Sequence, residues 1–320
     1  MAGCQARGGD GAMTLATPSV RLTRDQIGYF YDRGAAPVAT IEPGATVVFE
    51  THDARAGALF DRPVGSLFEL PKPDPLRGNP LTGPLAVSGA VPGDSLVVDV
   101  LAIETVGPGW AGGHAHVNPL APGRVPRPLG RICAVRDGVV HFSDTITFPA
   151  RPMIGCIGTA PAGDQIHAGI PGRHGGNVDQ SVVTAGTRIH LPVAVPDALL
   201  FIGDVHAVQG DGELSGVGLE IAAEVTVRVD IGSGSRPTWP WLETPDRLIV
   251  LTAADDFPTA RREAVEAMVA LLERRLGMEP AEALALLSVA GDIRIGQAFG
   301  GPLPMTVRLE LPRFEGLGLE

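Results

Sequence analysis

The sequence is poor in cysteine and in positive charge, and it has no long hydrophobic run. Its three cysteines, Cys4, Cys133 and Cys156, stand far apart and form no paired zinc-ligand spacing. A count this sparse and odd excludes a disulfide-stapled scaffold and points to a reduced compartment, so a cytoplasmic protein is expected. Nowhere do about 18 apolar residues follow one another, and a membrane-spanning helix is therefore not expected. Lys and Arg number 25 against 36 Asp and Glu, a formal net charge of −11. So acidic a chain repels phosphate backbones and anionic lipid heads, so neither nucleic acid nor a membrane surface is an expected partner. The acid excess serves solubility or gathers a cation, and composition leaves both open. There is no Gly-x-Ser-x-Gly elbow, no Walker loop and no dinucleotide fingerprint, which leaves serine-based and nucleotide-based mechanisms without support. Cys156, inside the apolar run MIGCIG, reads as a small core residue and not as a nucleophile.

What is present is glycine (42) and proline (29) in a chain of 320 residues that is 44% hydrophobic. They punctuate short apolar runs, a pattern of many strands joined by turns. Residues 1–17, rich in Gly and Ala, read as a disordered leader within which Met13 offers a second start. From 18 to 150 the chain is β-rich. EPGATVVFET (42–51) and VPGDSLVVDV (91–100) each place Pro-Gly at a turn before a β run, and read as related strands of one layer. Residues 107–130 read as a long loop, and ICAVRDGVVHF as a hairpin turning at Asp137-Gly138.

From 151 to 320 the pattern is mixed. Residues 217–231 alternate strictly, with Val217, Leu219, Ile221, Ala223, Val225, Val227, Val229 and Ile231 on one side, which predicts a long strand with one apolar face. Asp255-Asp256 with Pro258 predicts a helix start, and an apolar stripe through Met268 and Leu272 predicts a helix ending at Gly277. A second helix is expected from Pro280 and two strands in DIRIGQ and MTVRLEL. The expected class is α+β: a β-rich, sandwich-like N-terminal half packed on a mixed C-terminal half.

The densest polar cluster is PGRHGGNVD (171–179) followed by GDVHAVQGDGELSGVGLE (203–220). Acidic, amide and imidazole side chains recur there at two-residue spacing: Asn177 with Asp179, Asp204 with His206, Asp211 with Glu213. In extended chain each pair shares a face. Asp204 and His206 end the apolar run ALLFI, so a buried strand would deliver a carboxylate and an imidazole at its C-terminal end. That donor pair suits zinc, iron or manganese. The plainer alternative is that Asp204 caps a turn and His206 is a satisfied core histidine. His174, Asp179, Asp204, His206, Asp211, Glu213 and Glu220 within 47 residues favour a metal site. Glu220 shares its strand face with Gly218 and Ala222, which leave room above it. His52 with Asp53, and His114 with His116, are lesser candidates.

These residues carry a resemblance. The stretches NPLTGPLAVSGAVPGDSLVVDV (79–100), PMIGCIGTAPA (152–162), PGRHGGNVD (171–179), LPVAVPDALLFIGDVHAVQGDGELSGVGLE (191–220) and DIRIGQ (292–297) resemble the acetamidase/formamidase family, in its shorter, acetamidase-like branch. The resemblance implies hydrolysis of a short amide to a carboxylic acid and ammonia, or of a cyclic amide, by a β-rich protein with a divalent metal, zinc by preference. Its motif positions here are Asp53, His174, Asn177, Asp179, Asp204, His206, Gln209, Asp211, Glu213 and Glu220. Of these, Asp53, His174, Asp179, Asp204, His206 and Glu220 are the expected metal ligands. Glu213, then Asp211, is the expected acid/base, with Asn177 and Gln209 positioning the amide. The chain departs from the pattern at Arg55-Ala56 and in 107–130, so the substrate is less determined than the chemistry. A non-catalytic β-sandwich that binds a small ligand is the rival class. A homodimer or higher homo-oligomer is compatible with all of these readings.

Overall fold

In a computed structural model the protein is described at residues 18–72, 74–113, 124–125, 127–298 and 303–314. The leader 1–17, with Cys4 and Met13, and the pair His114/His116 lie outside these residues.

The fold is α+β and dominated by strands, nineteen of which form one hydrogen-bonded network. Its axis is the strand Glu220–Gly232. Ile221, Ala223, Val225, Val227 and Val229 are fully buried while the residues between them are half-buried or exposed, as the alternation predicts. The two segments that resemble each other in sequence flank this strand. Ala45–Thr51 pairs on one edge, with Val48 opposite Thr226, and Ser95–Gly113 pairs on the other, with Ala102 opposite Thr226. Strands from 151–320 are thus hydrogen-bonded to strands from 18–150. The main core lies between layers, where Phe49, Leu85, Leu96, Ile189, Leu200 and Ile202 meet the apolar face of the axial strand.

The expected hairpin forms from Leu129–Arg136 and Val139–His141, with Asp137 (φ 50°) and Gly138 (φ 73°) both left-handed, as a two-residue turn of the primed type demands. The expected loop 107–130 is corrected at both ends. The strand Ser95–Gly113 continues through Pro108, and 109–113 pair with 129–133. Trp110 explains the extension: its indole is fully buried with Leu59, Leu70 and Ile132, and this anchoring outweighs the Gly-Pro content that reads as loop.

The two expected helices cover the face of the last strands. α1 spans Phe257–Leu276, capped by the Asp256 carboxylate accepting from the Thr259 N–H (2.7 Å) and closed by left-handed Gly277. α2 spans Pro280–Ala290. Met268, Leu271 and Leu272 of α1 pack on Leu248, Val250, Val307 and Leu309. These four belong to the antiparallel pair Arg247–Ala254 and Met305–Pro312. Burying each such side chain contributes about 1.5–3 kcal/mol. No helix among the described residues is long and apolar enough to cross a membrane.

A candidate metal centre at the end of a buried strand

Leu200–His206 is buried along its whole length and hydrogen-bonded on both edges, to Met153–Thr159 and to Leu81–Val87. That is why an uninterrupted apolar run precedes its polar end. Where it stops, His206 stands directly opposite Glu220, the first residue of the axial strand. Directly opposed residues bring their Cβ atoms within about 5.5 Å, and here the two functional groups meet: His206 Nε2 lies 3.2 Å from Glu220 Oε1. Asp204 Oδ1 lies 3.6 Å from the same nitrogen, and Asp179 Oδ1 lies 4.0 Å from Nδ1. Glu213 completes the group from the loop between the two strands. All five residues are at most 6% exposed.

Two overlapping sets sharing His206, namely Asp204–His206–Glu220 and Asp179–His206–Glu213, have ligand atoms within 4.8 Å of one another. Gln209 selects between the imidazole nitrogens. Its Nε2 donates to the Asp179 and Gly296 carbonyls (2.9 and 3.2 Å), so its Oε1 faces His206 Nδ1 at 2.8 Å. An amide oxygen only accepts, so Nδ1 carries a proton, and Nε2 is the nitrogen directed at Asp204 and Glu220 and the one a metal would take in place of a proton. An outer partner that fixes the tautomer in this way is a regular companion of a metal-ligating histidine.

The centre is under-satisfied. Asp179 Oδ1, Asp204 Oδ1, His206 Nε2 and Glu220 Oε2 are each buried without a hydrogen-bond partner. Buried polar atoms are nearly always paired, so four unpaired ligand-type atoms in one place call for a group that accepts lone pairs. Burial, then the charge of Asp204, raises the pKa of Asp179; burial, then Asp179, raises that of Glu213; burial also raises that of Glu220. Burial opposes charge on His206 too, but Glu220 and Asp204 outweigh it and its pKa is raised. A cation here would relieve all of these effects together.

The backbone is bent to build the centre. Of the ten non-glycine residues with positive φ among the described residues, four are Asn79, Asp179, Asp204 and Glu213. Such strain, on the order of 1 kcal/mol or more per residue, concentrates at functional sites. Close approach also fixes two glycines. A Cβ on Gly155 would stand 2.7 Å from Asp179 Oδ1, and one on Gly218 would stand 2.5 Å from His206 Nδ1.

The other expected residues are placed differently. Asp53 is buried, but its oxygens accept from Trp110 Nε1 and the N–H groups of Arg55 and Gly57. His174 is buried with its ring edge-on to Tyr31 at 4.8 Å, and burial lowers its pKa to about 4. Neither belongs to the two ligand sets. Asp211 is drawn away into a two-pronged ion pair with Arg308 (2.9 and 2.7 Å) and accepts from Ser181. Asn177 Oδ1 accepts from Asn79 Nδ2 and lies 3.0 Å from Cys156 Sγ. The amide groups of Gln209 are fully used within the protein, so it orients His206 and does not face outward.

Three residues not singled out from the sequence support the centre. Asn79 Nδ2 donates to Asp204 Oδ2 at 2.6 Å. Gln297 Nε2 donates to the Asn177 carbonyl at 3.2 Å. Arg308, 4% exposed at its side chain, fixes Asp211 two residues from Glu213. The Gly212 N–H donates to the Ile295 and Gly296 carbonyls, which ties the Glu213 loop to the DIRIGQ segment. Asn79 carried a readable signal, since asparagine tolerates the left-handed conformation (φ 55°); Gln297 was visible only as the last residue of the resembling stretch DIRIGQ, and Arg308, about 90 positions beyond Glu220, carried no signal.

The residues of the centre fall in segments that known proteins share. The Acetamidase/Formamidase family model matches residues 30–168 and 163–240. An acetamidase of Mycolicibacterium smegmatis is 28% identical over 264 residues, 63% of this chain and 64% of that protein, so the match spans a little under two thirds of this curated relative. The crystal structure of an acetamidase from Bacillus halodurans superposes with a TM-score of 0.84 at 35% identity, over 93% of this chain and 100% of that one. A gamma lactamase from Delftia acidovorans, 22% identical with a TM-score of 0.63 over 90% of this chain and 89% of that one, shares the fold. Because one family model spans the chain from Phe30 through both strands of the centre, and a member's structure superposes on nearly all of it, this chain belongs to the acetamidase/formamidase family.

Proposed function

We propose that the protein hydrolyses a primary amide, RCONH2 + H2O → RCO2− + NH4+, at a divalent-metal centre formed by Asp204, His206 and Glu220 with Asp179 beside them. The observation that carries this reading is the gathering of four buried, unpartnered ligand-type atoms around His206. One imidazole among carboxylates suits zinc, manganese or iron, and zinc is the ion proposed. Such an ion supplies Lewis acidity when bound, polarising the amide carbonyl and acidifying water towards a pKa of about 7.

The chain's own residues supply the proton traffic. Amide nitrogen leaves poorly unless protonated, so a carboxylate must take a proton from water and deliver it to that nitrogen. Glu213 fits this role. It is buried, it lines the cleft beside the centre, and burial pushes its carboxyl well above the usual range, towards the pH at which it could both take and return a proton. Gln209 keeps His206 Nε2 facing inward, and Asn79 holds Asp204.

The test compares His206→Ala and Glu213→Gln for metal content and ammonia release from short amides. His206→Ala is expected to lose both. Glu213→Gln keeps the shape of glutamate without its basicity, and is expected to keep metal while losing about 10²–10⁴-fold in rate. If Glu213→Gln loses the metal, Glu213 is a ligand; if His206→Ala keeps metal and rate, the centre is misplaced.

A further inference from the structure

A cleft of about 560 Å³ opens beside Glu213. Water occupies about 30 Å³ per molecule, so the space would hold roughly nineteen waters. Acetamide has only four non-hydrogen atoms and would leave most of that space unfilled. The cleft falls in the volume range of pockets that enclose larger organic ligands, about 300–1,000 Å³.

The walls come from three places in the fold. Ala111 lies near the end of the strand Ser95–Gly113, Phe142 and Phe148 flank the edge hairpin, and Leu214, Val217 and Leu219 follow Glu213 on its own loop. The acid/base carboxylate and the apolar wall are therefore parts of one segment. Among the described lining residues there is no Lys, Arg or His. The two acidic ones are Glu213 itself and Asp211, whose oxygens are taken by Arg308 and Ser181. Among these described residues an anionic substituent has no cationic partner, and a cationic one would compete with Arg308. Leu214 (67% exposed) and Phe142 (36%) present apolar surface at the mouth.

We infer that this cleft is an acyl pocket, and that the substrates of the site are primary amides whose acyl group is an uncharged apolar chain or ring of roughly five or more carbons. The inference rests on the amide-hydrolase reading above and narrows it. The carboxamide lies at Glu213, the lining residue that also belongs to the centre, and ammonia is released there. The acyl group extends along Phe142, Phe148 and Leu214.

The test measures ammonia release by the zinc-loaded protein from acetamide, butanamide, hexanamide, benzamide and the anionic monoamide succinamate. Each methylene fully removed from water is worth about a fourfold gain. With the added chain partly buried, kcat/KM is expected to rise at least tenfold from acetamide to hexanamide, with benzamide also preferred to acetamide and succinamate poorest. Ala111→Phe, which fills part of the apolar wall, should bring the hexanamide-to-acetamide ratio of kcat/KM down to about one. Phe142→Ser, at an exposed hairpin position, should lower the same ratio by threefold or more, and serves if Ala111→Phe does not fold. Acetamide turned over as well as or better than hexanamide would overturn the pocket assignment while the amide-hydrolase reading stands. Ammonia from none of the five would overturn that reading, and this inference with it.

Discussion

Removing the Asn79 amide should loosen the metal centre without touching a ligand. Asn79 Nδ2 donates to Asp204 Oδ2 at 2.6 Å and to Asn177 Oδ1 at 3.2 Å. In Asn79→Ala both acceptors lose this donor inside the protein. A hydrogen bond to a charged group contributes about 1.5–3 kcal/mol. Asn79 also sits at φ 55°, where alanine is disfavoured by on the order of 1 kcal/mol relative to asparagine. Together the loss is about 3 kcal/mol. Unfolding entropy near 2.1 cal/mol/K per residue gives about 0.7 kcal/mol/K for 320 residues, so the metal-free protein should melt about 4–5 °C lower. Asn79→Gly removes the same hydrogen bonds without the backbone penalty and should recover about a third of the loss. Freed from its clamp, Asp204 should bind metal 10–100-fold more weakly in both variants, as for other outer-shell partners. Competition with a chromogenic chelator measures the affinity and a thermal melt measures the stability. An affinity for zinc unchanged in both variants would refute the assignment of Asp204 as a ligand held by Asn79.

Two further outcomes are expected. The raised pKa values of Asp179, Glu213 and Glu220 mean that the folded, metal-free protein holds protons that the unfolded chain has released. Stability therefore falls as pH rises from the ordinary carboxylate range, about 4, towards neutrality; melts of chelated protein should drop over that window, and added zinc should restore stability most at the upper end, where fewer protons must be displaced. Arg308→Gln unpairs Asp211, 37% exposed at its side chain, and takes one partner from the buried Glu310, and should destabilise by on the order of 1–3 kcal/mol; with its loop loosened, Glu213 should act more slowly while metal content, measured alongside the melt, stays at the parent value.

Much of this centre was legible because its residues obey local rules. The buried strand ending in Asp204 and His206 is visible as an apolar run followed by two polar residues of one face. Glu220 is visible because the alternation around it is strict. Its burial is not, since Glu224 on the same strand has a similar sequence setting yet is half-buried and ion-paired with Arg21. What separates them is the strand opposite: Glu220 meets His206 and Glu224 meets Glu104 and Glu50. Asp211 and Glu213 look equivalent in the sequence, two acids around one glycine. They are divided by Arg308, a residue 97 positions away in the chain. Gln209 likewise reads as a substrate-facing amide until the carbonyls of Asp179 and Gly296 are seen to claim its nitrogen. The helices and their caps were legible for the opposite reason: Asp256, Pro258 and Gly277 act on their own neighbours. The loop expected over 107–130 failed at its start because Trp110 is anchored by Leu59, Leu70 and Ile132, contacts that no local pattern reports.

The central claim is that four unpartnered ligand atoms mark a metal centre on which amide hydrolysis depends. It is tested most directly by titrating exhaustively chelated protein with zinc and following ammonia release from hexanamide and acetamide at neutral pH. The account predicts no release without metal, then a linear rise that stops at one equivalent per chain, with the break absent in His206→Ala. Full release from metal-free protein, unchanged by added zinc, would contradict it.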